Sequence, residues 1–155
     1  MGQPHEARTC LEESLPMYEK RAMGRWLTLT KSNLALCWAN LGDEARGYQL
    51  AQQGVVHAQQ ARAINVEIIA WRGLAYFQTG LEKRESLQRS YEPAQTHQVD
   101  FGQAASLLLL AACSADEAEQ KLYWQQATDL LQKMGIMSWL NGRSPQNPPH
   151  LPLLA

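Results

Sequence analysis

The chain has 155 residues, of which 45% are hydrophobic and 19% charged, and 14 Lys and Arg oppose 15 Asp and Glu to give a net charge of −1. This length allows one compact domain with its own core, and the hydrophobic content excludes disorder over most of the chain. A near-zero net charge argues against binding to phosphate backbones, so we expect no direct contact with nucleic acid.

Good helix formers dominate the composition, and glycines separate segments in which apolar residues recur every three or four positions. This pattern predicts an all-α protein. The predicted helices cover, in chain order, residues 6–23, 26–41, 44–62, 64–79, 82–97, 99–113 and 115–134, and a short eighth segment covers 136–140.

Individual residues mark the predicted ends of these helices. Gly24 is expected to end the first helix, and Pro16 to kink or break it. Gly42 is expected to end the second helix in a left-handed conformation, and Asp43 to start the third. Ser114 is the predicted cap of the seventh helix.

The third predicted helix carries a stripe of small residues on one face. Gly47, Ala51, Gly54, Ala58 and Ala61 follow one another at spacings of three or four positions. Because glycine costs a helix up to about 1 kcal/mol relative to alanine, two glycines on one stripe indicate that another helix packs very close.

The end of the chain differs in composition from the rest. Residues 141–155 hold four of the seven prolines and lack helical periodicity, so we predict a helical domain over 1–140 and an extended or disordered tail over 141–155. The longest apolar run, 104–113, is too short to cross a bilayer, which takes about 20 residues, and the N-terminus lacks an apolar signal core. We expect a cytoplasmic protein without membrane contact.

The sequence contains no recognisable catalytic or metal-binding pattern. The three cysteines are widely spaced, and none of the four histidines pairs with a histidine or carboxylate at a zinc-binding spacing. Phosphate-binding and nucleophile-elbow motifs are missing as well. We therefore expect neither enzymatic activity nor a bound cofactor or metal ion.

A sequence pattern repeats at a distance of 38 residues. The matched positions are Ala35 with Gly73, Trp38 with Tyr76, and Gly42 with Gly80. A period of this order is typical of stacked helical hairpins. Together with the small residues of the third helix, the pattern resembles the tetratricopeptide repeat family, although its period exceeds the 34 residues of that family.

The longer period and the ending LQKMGIMSWL over 131–140 are similar to the degenerate repeats in the C-terminal parts of large bacterial signalling ATPases, cyclases and MalT-type transcription regulators. The resemblance implies an alpha-alpha superhelix of stacked antiparallel hairpins with about seven helices. It also implies a non-enzymatic protein–protein interaction scaffold that forms the C-terminal part of a larger signalling or transcription-regulatory protein.

In the family that this chain resembles, the first helix of each hairpin lines a concave groove that binds a protein or peptide. The resemblance places these residues in the groove: Leu29, Ser32, Leu36, Asn40, Glu67, Ala70, Leu74, Phe77 and Gln78. Ser32 and Leu36 stand where the family's carboxylate clamp has Lys and Asn, so we do not expect capture of an acidic peptide C-terminus. Two alternatives stay open, a small-molecule-sensing domain that uses the same groove and a homodimer formed through an exposed terminal hairpin.

Overall fold

The computed structural model describes residues 4–145, apart from the side chain of Trp139, and this part of the chain is helical. Its elements are α1 (Pro4–Lys20), α2 (Gly24–Asn40), α3 (Glu44–Ala61), α4 (Ile64–Tyr76), α5 (Gly80–Thr96), α6 (Asp100–Cys113), α7 (Glu117–Lys133) and a 3-10 turn (Met137–Leu140). The prediction of an all-α fold with about seven helices is confirmed. Of the predicted tail, residues 146–155 lie outside the described residues.

The helices pack mainly against their neighbours in sequence, and the contacts are densest within the pairs α2–α3, α4–α5 and α6–α7. In addition, α2 packs against α4 and α4 against α6, whereas no backbone-level packing within residues 4–145 joins α1 to α3, α3 to α5 or α5 to α7. The even-numbered helices therefore form one layer and the odd-numbered helices another, as in stacked antiparallel hairpins. We call α2, α4 and α6 the inner layer, because among the described residues these are the helices of one layer that pack against one another across the row.

Two predicted helix ends and one predicted helix break are corrected by the structure. Gly24 begins α2 instead of ending α1, and α1 continues through Pro16 without a break. Ser114 does not cap α7, because the helix begins at Glu117 and the carboxylate of Asp116 accepts the backbone N–H of Ala118 at 2.9 Å. The hydroxyl of Ser114 donates to Glu119 instead.

The hydrophobic core is divided along the row of helices. One cluster joins α2, α3 and α4 around Ala35, Ala51 and Leu74. A second joins α4, α5 and α6 through contacts among Ala75, Leu87 and Leu110, and a third joins α6 to α7 around Leu108. Each cluster involves only consecutive helices, so the stability of the fold arises from interfaces between neighbours.

The small residues of α3 allow the close helix approach that the sequence predicted. A Cβ atom at Gly47 would lie 2.7 Å from Cε1 of Phe77 and 2.8 Å from the carbonyl oxygen of Ala35. At Gly54, a Cβ atom would lie 3.1 Å from the hydroxyl of Ser32. These two glycines therefore set how closely α2 and α4 approach α3.

A polar contact joins α5 to α7, which have no helix-to-helix packing of their own. Glu119 on α7 accepts hydrogen bonds from both terminal nitrogens of Arg84 on α5, with 2.8 Å between Nη1 and Oε2. The hydroxyls of Ser114 and Tyr123 donate to the same carboxylate. The hydrogen bond from Arg84, followed by that from Ser114, lowers the pKa of Glu119 to about 2.

Glu119→Gln is expected to lower the melting temperature at pH 7 and to reduce the loss of stability in acid. Because the folded-state pKa of Glu119 lies below its usual value of 4.5, the unfolded chain binds the additional proton between these values. The stabilisation is therefore fully present above about pH 4.5 and is lost as the pH falls toward 2. Thermal unfolding followed by circular dichroism at pH 7, 4.5 and 3 measures both effects.

Glu85→Gln is the matched control, because Glu85 is exposed on α5. It is expected to unfold as the unmodified chain does at all three pH values. If Glu119→Gln lost as much stability in acid as the unmodified chain, the contribution assigned to this carboxylate would be wrong.

Candidate functional site

The inner layer contains a cavity of about 440 Å³ at the point where α2, α4 and α6 meet. This volume lies within the range of about 300–1,000 Å³ that is usual for small-molecule sites. Its walls are mostly aliphatic and include one phenyl ring. The lining residues are Arg25, Leu29, Asn65, Val66, Ile68, Ile69, Arg72, Val99, Phe101 and Gly102. We call this space the inner cavity.

Helical spacing explains how α4 supplies one wall of the inner cavity. Asn65, Ile69 and Arg72 line the cavity, and their spacings of four and three positions place them on one face of the helix. Tyr76 follows four positions later on this face, and its side chain is 53% exposed. The face of α4 that lines the inner cavity thus continues to Tyr76 at the C-terminal end of the helix.

Arg72 is the unusual group of the inner cavity. Its side chain is only 2% exposed, and its Nη1 atom is buried without a hydrogen-bond partner. Burial lowers the pKa of this guanidinium to about 10, so it is still a cation at neutral pH. No carboxylate among the described residues pairs with it, which leaves a buried charge uncompensated.

The other polar groups of the inner cavity are also hydrogen-bond donors. Arg25 on α2 and Asn65 at the start of α4 are both exposed and line the cavity at its solvent side. None of the described lining residues is acidic. The arrangement therefore favours a negatively charged group inside the cavity over a neutral or positive one.

The predicted groove residues of α2 lie on the face that borders the inner cavity or next to it. Leu29 lines the cavity, and the half-buried Leu36 and the exposed Asn40 follow it at spacings of seven and four positions. Ser32 is buried, and its hydroxyl faces the space above Gly54 without a hydrogen-bond partner. The structure thus brings Leu29, Leu36 and Asn40 together on the inner face of α2.

The predicted groove residues of α4 are placed differently. Ala70 and Leu74 are buried in the core cluster that joins α2, α3 and α4, and the ring of Phe77 packs against Tyr48 of α3. Glu67 is half-buried and accepts the indole N–H of Trp71 on its own helix at 3.4 Å. The structure does not bring these side chains to the inner cavity.

Gln78 follows the end of α4, where its side-chain oxygen is buried without a hydrogen-bond partner. The residues that sequence reasoning missed are those on the opposite face of α4, above all Arg72. One signal could have found it, because Arg72 is the only Lys or Arg in the segment Ile64–Tyr76, which is otherwise largely apolar. Such a charge in a core helix is either paired or functional.

A second polar cluster lies between α2 and α3 and serves as a contrast to Arg72. The ammonium of Lys31 contacts Oε1 of Gln53 at 3.0 Å and Nε2 of His57 at 3.1 Å, and Oε1 of Glu19 lies 3.9 Å away. Burial and the Lys31 charge lower the pKa of His57, which favours the neutral ring that accepts this hydrogen bond. Lys31 is thus a buried cation with partners, whereas Arg72 lacks them among the described residues.

Comparisons with protein-family models, with curated proteins and with solved structures found no match to this chain. Within residues 4–145, no group of three or more His, Cys, Asp or Glu side chains is placed to hold a metal ion. Burial raises the pKa of the thiols of Cys37 and Cys113, which disfavours their nucleophilic form. No helix in the described part of the chain has the length and apolar character needed to span a membrane.

Proposed function

We propose that the chain is a non-enzymatic binding module of the tetratricopeptide-repeat type, which binds a protein segment along its inner layer. The observation that carries the proposal is the contact of α2 with α4 and of α4 with α6, which makes the inner layer one continuous surface. Helical-repeat proteins use surfaces of this kind to bind extended partners. The repeat of Ala35, Trp38 and Gly42 at a distance of 38 residues supports the same assignment.

The accessible side chains of the inner layer suit a protein partner. Tyr76 on α4 is largely exposed, and Leu36 and Asn40 on α2 add a partly exposed apolar side chain and an exposed amide. Tyrosine supplies a large contact area at a small entropy cost and is enriched at protein interfaces. We place the module in the C-terminal part of a larger bacterial signalling or transcription-regulatory protein, on the resemblance of its repeats to those of such proteins.

Substitution of the inner layer tests this proposal. Peptides are selected by display on the full chain, and the affinity of each selected peptide is measured by fluorescence anisotropy. The double variant Asn40→Ala, Tyr76→Ala is expected to weaken binding at least about tenfold, because aromatic anchors of an interface contribute about 1–2 kcal/mol or more.

Leu81→Ala is the control, because Leu81 is 78% exposed on α5, which belongs to the other layer. Binding by the control is expected to equal that of the unmodified chain. Peptides that lose affinity with Leu81→Ala and keep it with the double variant would place the binding surface outside the inner layer.

A second candidate function is the sensing of a small molecule. The inner cavity favours it, because the cavity has the volume of a small-molecule site and holds a buried cation without a partner among the described residues. A molecule in this cavity would contact α2, α4 and α6 at once. Binding would therefore stiffen three successive hairpins together, which is a physical basis for regulating an attached module.

A further inference from the structure

We infer that the inner cavity binds a small apolar monocarboxylate, with its carboxylate on Arg72 and its hydrocarbon part against the aliphatic wall. This inference deepens the second candidate function and rests on it. A cavity of about 440 Å³ accommodates an acid of roughly ten non-hydrogen atoms, such as octanoate or a short aryl alkanoate.

The uncompensated guanidinium of Arg72 indicates that the ligand is negatively charged. A buried charge without a partner destabilises a folded protein strongly, so proteins pair such charges or expose them. Arg72 is 2% exposed, with its Nη1 atom unpartnered, and the described cavity wall offers it no carboxylate. The planar guanidinium matches a carboxylate, which accepts two parallel hydrogen bonds from it.

The remaining walls of the cavity indicate that the rest of the ligand is apolar. Leu29, Ile68, Ile69 and Phe101 offer hydrocarbon to the interior of the cavity. Burial of an alkyl chain against them tightens binding by about fourfold for each CH₂ group. The exposed Arg25 at the solvent side adds attraction during the approach of the anion.

The same walls disfavour other anions. Arg72 is the one buried cation among the described lining residues, so a phosphate dianion or a dicarboxylate would leave a second negative charge without a buried partner. A peptide inserted into the cavity would set backbone N–H and C=O groups against aliphatic side chains. These groups would lose their hydrogen bonds to water without gaining replacements, which weakens binding.

The test compares octanoate with octanamide, which has the same chain length and no charge, by calorimetric titration of the full chain at pH 7. Octanoate is expected to bind at least tenfold more tightly, because a hydrogen bond to a charged group contributes about 1.5–3 kcal/mol. Arg72→Met is expected to weaken octanoate binding at least tenfold and to change octanamide binding less than threefold. Arg21→Met, at an exposed arginine between α1 and α2, is expected to change neither.

A stability measurement separates the loss of binding from the loss of folding. Because Arg72→Met removes an uncompensated buried charge and keeps the length of the side chain, we expect its ligand-free melting temperature to equal or exceed that of the unmodified chain. Arg72→Lys keeps the charge but not the bidentate geometry, so it is expected to retain part of the preference for octanoate. This second variant tests the site even if Arg72→Met fails to fold.

Four results would overturn the inference, and they can be told apart. Equal affinities for octanoate and octanamide, or octanoate binding that Arg72→Met leaves unchanged, would exclude a carboxylate on Arg72. A free C-terminal peptide that binds through Arg72 more tightly than octanoate, and loses binding on amidation, would assign the carboxylate to a protein partner. Failure of both small probes, with selected peptides still bound along the inner layer, would reject the acid and leave the proposed protein-binding function in place.

Discussion

Gly47→Ala is expected to lower the free energy of unfolding by about 2 kcal/mol, although alanine is intrinsically the better helix former. A Cβ atom at this position would meet Cε1 of Phe77 at 2.7 Å and the carbonyl oxygen of Ala35 at 2.8 Å. A phenyl ring in a packed interface and the backbone of a helix cannot both retreat, so α2, α3 and α4 must separate slightly. Urea unfolding followed by circular dichroism measures the change.

Gly73→Ala is the matched control for this prediction. Gly73 is also buried in a helix, but the nearest atoms that its Cβ would meet are those of Ser32 at 3.9 Å, an ordinary van der Waals distance. The substitution is expected to stabilise the chain by about 0.5–1 kcal/mol, through the better helix propensity of alanine. If the two variants shifted stability in the same direction, close helix approach at Gly47 would not be the controlling factor.

Leu108→Ala is expected to cost about 2–5 kcal/mol of unfolding free energy, which is among the largest effects of a single substitution in this chain. Leu108 on α6 is fully buried in the cluster that contains Ala127 and Leu131 of α7. Removal of its three terminal carbon atoms leaves a cavity between α6 and α7, and α7 packs against no other described α-helix.

Leu122→Ala provides the comparison on α7, because Leu122 is largely exposed. It is expected to change the stability by less than about 0.5 kcal/mol. Since α6 and α7 contact no helix before α4, hydrogen exchange should show the loss of protection caused by Leu108→Ala concentrated in these two helices. Equal loss of protection in α1 and α2 would contradict a core divided between neighbouring helices.

The sequence predicted the helix count and most helix ends, because these depend on local chemistry. Gly42 has φ +90, a conformation that favours glycine, and it follows the end of α2 as predicted. The carboxylate of Asp43 accepts the backbone N–H of Arg46 at 3.0 Å and caps α3. The start of α7 shows the limit of such reasoning. Ser114 and Asp116 are both suitable capping residues, and only the structure shows that Asp116 caps the helix.

The candidate site could be predicted only in part, because α4 is apolar on most of its circumference. On α2, the resemblance to the tetratricopeptide repeat family placed Leu29, Leu36 and Asn40 in the groove, and their spacing puts them on one face of the helix. On α4, Ala70 and Leu74 on one face and Ile68 and Ile69 on the other are equally apolar, so the sequence pattern does not define which face meets α3.

The lack of close packing between successive odd-numbered helices in the described part of the chain has a mechanical consequence. Within the described residues, the helices of neighbouring hairpins pack together where α2 meets α4 and α4 meets α6, and where α3 meets α4 and α5 meets α6. The odd-numbered helices meet one another through side-chain contacts such as that of Arg84 with Glu119. The inner layer is therefore the pivot about which the row bends, and the odd-numbered helices on the far side can spread or close only as far as these side-chain contacts allow. A molecule in the inner cavity would lie between α2, α4 and α6 and hold them apart. Its size would therefore set the angle between successive hairpins, and with it the curvature of the row.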